Sequence, residues 1–145
     1  MELSDLYRDI ILEHSRHPLY KGRLDDPITL QSSLDNPACG DEVVVWVRVG
    51  SSGRIEAASF DGDGCAISMA AASIMSEMLR GRTIAEAKDL ANRFTAMVMN
   101  QSLPSDDLGE LVAFTGVRQF PMRVKCATLP FHALLEGIRR LEGGG

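Results

Sequence analysis

A chain of 145 residues, 45% hydrophobic and 24% charged, fits one domain and can bury a sizeable core without disulfide or metal staples. The net charge of −5, with no basic run longer than Arg139-Arg140, argues against nucleic acid or an anionic membrane as the main partner. No apolar stretch approaches the about 20 residues of a membrane span, and Met1-Glu2-Leu3-Ser4-Asp5 lacks the basic start and apolar run of a secretory signal, so the chain reads as cytoplasmic.

Leu3, Leu6, Tyr7, Ile10 and Ile11 follow helical spacing and predict an amphipathic helix over 3–16. Ser4 is its expected N-cap and Pro18 its stop. His14 and His17 lie near its C-terminus, where they suit the helix dipole better than they suit a metal. Residues 19–27 read as a loop, and a first short strand follows from Ile28 and Leu30. Alternation predicts a strand over 42–49, with Val43, Val45, Val47 and Val49 facing the core. Ser51-Ser52-Gly53 turns it into a return arm over 54–60, making a hairpin. In that arm Ile55 and Ala57 share one face, and Ala58 and Phe60 the other. A β-bulge would reconcile them.

Asp61-Gly62-Asp63-Gly64-Cys65 then turns into a helix over 66–79. Its stripe is Ile67, Ala70, Ala71, Ile74 and Met78, and Gly81 supplies the stop. Thr83-Ile84-Ala85-Glu86 is a capping box. It opens a helix over 84–100 with Ile84, Ala87, Leu90, Ala91, Phe94 and Val98 inward. Met97 and Met99 read as core or partly exposed filler, and Met69, Met75 and Met78 as packing residues. Pro104 ends this unit, and Asp106 or Asp107 is expected to cap a short helix through Leu111 and Phe114. A loop with Gly116 and Pro121 leads to Arg123-Val124-Lys125-Cys126. Thr128 and Pro130 mark the start of a last helix, with Phe131, Leu134, Leu135, Ile138 and Leu141 on its apolar face. His132 reads as a surface histidine of that helix, and Gly143, Gly144 and Gly145 as a flexible tail behind a single domain over 1–142.

Three widely spaced cysteines, Cys39, Cys65 and Cys126, do not make a disulfide framework in such a chain. They are either small buried hydrophobes or ligands and nucleophiles, and their settings decide. Cys39-Gly40-Asp41 places a thiol and a carboxylate around a glycine that lets the backbone turn sharply. Soft sulfur with hard oxygen suits zinc or an iron centre. Cys65 opens a helix, where unpaired N–H groups and the dipole favour thiolate, the form that binds metal or attacks sulfur. The hairpin brings its own ends together, and so carries Cys39 and Asp41 to Cys65. Cys126, also expected near a helix N-terminus, joins them only if the last helix packs beside the one that follows Cys65. The four residues would then make a Cys3Asp tetrahedron.

Three blocks carry a resemblance: Asn36-Pro37-Ala38-Cys39-Gly40-Asp41, Gly62-Asp63-Gly64-Cys65-Ala66-Ile67-Ser68 and Arg123-Val124-Lys125-Cys126-Ala127-Thr128-Leu129. Together with the first helix, His14, Pro18 and Gly22, they resemble the IscU/SufU/NifU N-terminal family of iron–sulfur cluster assembly proteins over nearly the whole chain. The resemblance implies an α+β fold, a small antiparallel sheet of about three strands with helices packed against it. Within the family, IscU-type scaffolds place a histidine immediately before the third cysteine. Lys125 stands there in this chain, and extra helical sequence separates Cys65 from Cys126. Both features, with Arg123, resemble the SufU type.

That type implies a Zn2+ site of Cys39, Asp41, Cys65 and Cys126. Cys39 would accept persulfide sulfur from a SufS-type, PLP-dependent cysteine desulfurase, and the protein would act as a sulfurtransferase-like carrier for downstream iron–sulfur assembly machinery. Arg123 would pair with Asp41, or with neighbouring thiolate charge, when the site opens. The alternative is a scaffold that assembles and transfers a [2Fe–2S] cluster on the same four ligands, with iron in place of zinc. A purely structural zinc site is a third reading, against which the aspartate counts, because closed structural sites prefer Cys and His.

Overall fold

A computed structural model describes residues 3–37 and 40–143. In chain order it contains α1 (Leu3–Arg16), β1 (Leu30–Asn36), β2 (Asp41–Val49), β3 (Ile55–Asp63), α2 (Ala66–Leu79), α3 (Ile84–Val98), a 3₁₀ segment (Asp106–Gln119) and α4 (Pro121–Gly143). The three strands form one antiparallel sheet in the order β1-β2-β3. The α+β architecture expected from the sequence is the one observed.

The β2–β3 register explains the imperfect alternation of the second arm. Val45 pairs with Phe60, Val47 with Ala58 and Arg48 with Ala57, but Val49 pairs with Ile55. The shift between Arg48 and Val49 leaves one extra residue in β3, as a bulge does. Ile55 thereby joins Ala58 and Phe60 on the core face with Val43, Val45 and Val47, all buried. The opposite face is not simply solvated. Trp46 is also buried, and Arg48, on its side of the sheet, donates to the Asp25 carbonyl, so the segment before β1 passes over this face. That segment also pairs with the outer edge of β3, through Gly22 N–H to Phe60 O and Phe60 N–H to Tyr20 O, and so covers an edge that would otherwise be open.

α2 occupies the centre. The spacing predicts an amphipathic stripe, yet Ser68, Met69, Ala70, Ala71, Ala72, Ser73, Ile74, Met75, Ser76 and Leu79 are all buried. α1, β3, α4 and the 3₁₀ segment pack around it, and its alanines and serines let them approach closely. α3 packs on α4 through Phe94, which stacks on Phe131 with centroids 4.5 Å apart and meets Phe114 edge-on at 5.6 Å. All three rings are fully buried, each contributing about 1.5–3 kcal/mol of apolar burial. The capping box is formed: Glu86 N–H donates to Thr83 Oγ1, and Thr83 N–H to Glu86 Oε1.

Several expectations are corrected. α1 begins at Leu3, so Ser4 lies inside it rather than capping it. α3 ends at Val98; Met97 is buried and Met99 exposed. Neither Asp106 nor Asp107 caps the next segment, which follows Ser105, is 3₁₀, and is broken at Gly109. Asp107 instead accepts both guanidinium nitrogens of Arg93, which holds its carboxyl far below the usual range. The last helix starts at Pro121, not near Thr128, and carries Pro130 within it. Cys126 therefore sits in its second turn and has no share in the unpaired N–H groups of its start. Leu141 is exposed, and α4 takes in Gly143. No helix among the described residues is long and apolar enough to cross a membrane.

Candidate metal centre

Asp41 opens β2, one step beyond the Glu42–Asp63 pair of the hairpin. That position sets its side chain against the turn into α2. A Cβ on Gly64 would stand only 3.1 Å from Asp41 Cγ, so the glycine is what lets the backbone come this close. Asp41 Oδ1 accepts the Cys65 N–H at 3.0 Å. Its Oδ2 accepts the Ser68 hydroxyl at 2.6 Å.

Cys65 is the N-cap of α2, with extended backbone, and its Sγ accepts the Ser68 N–H at 3.5 Å. Sulfur here takes the place that an oxygen usually fills at such a position. Cys126 arrives from α4, which packs beside α2 as the sequence argument required. The Cys65 and Cys126 sulfurs and a carboxylate oxygen of Asp41 all lie within 4.8 Å of one another. Donors so spaced can close on one ion with bonds of about 2.0–2.3 Å after small side-chain movements. Asp41 and Cys126 are buried, whereas Cys65 is exposed, so the group has one open side.

A buried carboxylate must be compensated. Burial pushes the Asp41 carboxyl up, but hydrogen bonds from Ser68, from the Cys65 and Cys126 side chains and from the Cys65 backbone outweigh it. The carboxyl ends below its ordinary value, and so is held ionised. Two thiols and a carboxylate of this kind form a donor set suited to a borderline cation.

Of the four expected ligands, three converge. Cys39, the fourth and the expected sulfur acceptor, lies outside the described residues. Its neighbour Gly40 has φ of 74° and donates its N–H to Asn36 O, consistent with the sharp turn expected there. Arg123 is not at Asp41. Among the described residues its guanidinium stands over the Phe120 ring, 4.5 Å from the centroid, and makes no ion pair with Asp41. It borders a groove of about 570 Å³ lined also by Tyr7, Ile11, Ile67 and Val117. Lys125 is exposed on the rim of a different pocket, shared with Pro37 and His132.

His14 has a structural role, as the sequence suggested, but not through the helix dipole alone. It is buried; its Nδ1 lies 2.8 Å from Ser73 Oγ and its Nε2 3.0 Å from Glu110 Oε1. It thus ties α1 to α2 and to the 3₁₀ segment. The order Ser–His–Glu has the look of a hydrolytic triad, but Ser73 is fully buried and its oxygen accepts the Leu19 N–H. Ser68 is the residue that sequence reasoning passed over. Its place three residues after a helix-opening cysteine was a usable signal, since that position faces the cap.

A family model described as NifU-like N terminal domain matches residues 6–127. The zinc-dependent sulfurtransferase SufU of Bacillus subtilis (strain 168) is 39% identical over 143 residues, 98% of this chain and 95% of that protein. The iron–sulfur cluster assembly scaffold protein IscU of Streptococcus pyogenes serotype M1 is also 39% identical, over 96% of this chain and 86% of its own. Among solved structures, an iron–sulfur cluster assembly scaffold protein for the SUF system from Fervidobacterium islandicum AW-1 superposes with a TM-score of 0.83. It is 29% identical and covers 90% of this chain and 94% of that one.

Proposed function

Because the chain belongs to the NifU-like N-terminal domain family, we propose that it serves iron–sulfur cluster biogenesis as a zinc-dependent sulfur acceptor. The observation that carries this reading is the convergence of Asp41, Cys65 and Cys126 on one point with an open side. The zinc named for the Bacillus relative matches that donor set.

Cys39, Asp41, Cys65 and Cys126 would hold Zn2+, which supplies thiolate stabilisation without redox activity. Cys39, next to the turn at Gly40, is the acceptor. Its thiolate attacks the terminal sulfur of a persulfide on a cysteine desulfurase. A new S–S bond forms at Cys39, the partner's S–S bond breaks, and the partner's cysteine leaves as thiolate, with no net change in oxidation state. Asp41 is the adaptable ligand. Arg123, now over Phe120, is on α4 one turn before Cys126 and is the bidentate partner for Asp41 when the carboxylate swings away. The desulfurase is of the PLP-dependent SufS type, the carrier hands sulfur to downstream assembly machinery, and the setting is the cytoplasm.

The second reading, a [2Fe–2S] scaffold on the same ligands, has the equal identity to the Streptococcus IscU in its favour. Lys125, where IscU-type scaffolds carry histidine, weighs against it. The two separate on metal content and reconstitution. The acceptor reading expects close to one zinc per chain, no stable cluster, and stimulation of a desulfurase that Cys39→Ala abolishes. A stable cluster that transfers to an apo-ferredoxin, or full stimulation by Cys39→Ala, overturns it.

A further inference from the structure

Ser68 touches every candidate ligand residue that the structure describes. Its hydroxyl is 2.6 Å from Asp41 Oδ2 and 3.0 Å from the Cys126 carbonyl, and its N–H reaches Cys65 Sγ. It is itself wholly buried. The contact to Cys126 has a covalent cause. Pro130 lies four residues after Cys126 inside α4, and proline has no N–H to give the carbonyl of residue 126. The carbonyl is turned to Ser68 instead.

A serine hydroxyl has one proton. Two oxygens stand within its reach, and the shorter contact to a charged carboxylate takes the proton first. We propose that Ser68 is the positioning residue for Asp41: its hydroxyl holds one carboxylate oxygen, while the Cys65 N–H holds the other, so that Asp41 is presented to the metal in one orientation. When the carboxylate moves away, the same proton turns to the Cys126 carbonyl, and no donor is stranded in the interior. The inference rests on the metal-binding reading of the site.

The test is a double-mutant cycle read as Zn2+ and Co2+ affinity, by competition with a chromophoric chelator. Ser68→Ala is expected to weaken binding about 10–100-fold, the usual scale for losing a group that orients a ligand. In an Asp41→Ala background the same change should alter affinity less than about threefold, since Asp41 is the route of its effect. Ser68→Thr, which keeps the hydroxyl, should bind within about threefold of the native protein.

The d–d bands of the Co2+-loaded protein should shift with Ser68→Ala only when Asp41 is present. Melting of the metal-free protein reads the second acceptor. Ser68→Ala should lower the melting temperature in both backgrounds, because the hydroxyl's one proton serves Asp41 in the native protein and the Cys126 carbonyl once Asp41 is removed. Should Ser68→Ala not fold, the Ser68→Thr arm decides by itself, since that variant keeps both the hydroxyl and a helix-compatible backbone. Equal affinity losses in the two backgrounds, or weak binding by a folded Ser68→Thr, overturn the positioning role. A melting loss confined to the native background overturns the turn to Cys126. If the native protein binds neither ion, the metal reading falls as well; if it binds and only the Ser68 effect is missing, this inference alone falls.

Discussion

Gly62 lies in β3 opposite Val43, with φ of 144°. An alanine Cβ there would run into the Glu42 carbonyl oxygen and come within 2.9 Å of Val43 Cα. Both are backbone atoms of β2, so no side chain can yield. The backbone conformation costs an L-residue about 1–3 kcal/mol, and forcing the strands apart costs about 1–3 kcal/mol more. Together these are a large share of the about 5–15 kcal/mol that stabilises a domain. At about 2–4 °C per kcal/mol for a chain of this size, Gly62→Ala should melt roughly 10 °C below the native protein. The displaced strand end carries Asp41, so metal affinity should fall too.

The control is Gly53→Ala in the hairpin turn. There φ is 83° but nothing stands within 4 Å, so only the backbone term of about 1–2 kcal/mol applies. Thermal melting followed by circular dichroism, with chelator competition for the metal, measures both variants. Gly62→Ala melting no lower than Gly53→Ala would refute the steric reasoning.

Arg123→Ala should keep the metal and slow sulfur acceptance in a coupled desulfurase assay, since Arg123 is not among the converging donors; an unchanged rate removes its proposed role. Thr83→Ala removes one half of the α3 capping box and should cost about 1 kcal/mol in denaturant unfolding, with the site untouched. His132 titrates below its ordinary value because desolvation disfavours the imidazolium. The unfolded chain therefore binds more protons just below pH 6.5, and stability should rise with pH across that window. His132→Gln should flatten that part of the pH–stability profile, read by urea midpoints at closely spaced pH values, and a slope identical to the native one would count against it.

Much was legible in the sequence because it is local. Helical spacing placed α1 and α2, valine alternation placed β2, and Thr83 and Glu86 marked the start of α3 to the residue. Cys65 at a helix start follows from a strand, two glycines and a helical stripe in succession. The hairpin alone was enough to bring Asp41 to Cys65, because two antiparallel arms must end side by side. Ile55 was ambiguous for the opposite reason: its face depends on a bulge that only pairing with β2 reveals.

The rest depended on contacts between segments far apart in the chain. Cys126 reaches Asp41 because α4 packs on α2, and spacing carries no record of that. Arg123 rests on Phe120 rather than Asp41, an arrangement no motif encodes. Pro130 shows the difference most sharply. Read locally, a proline interrupts a helix and marks a start. In the fold, Pro121 takes the first helical position, where a missing N–H costs nothing, and α4 continues through Pro130 with the Cys126 carbonyl turned to Ser68. The residue types at the site were thus written in the sequence, but their arrangement around one point was decided by tertiary packing, because a contact between two helices, made by residues 58 apart in the chain, leaves no local pattern to read.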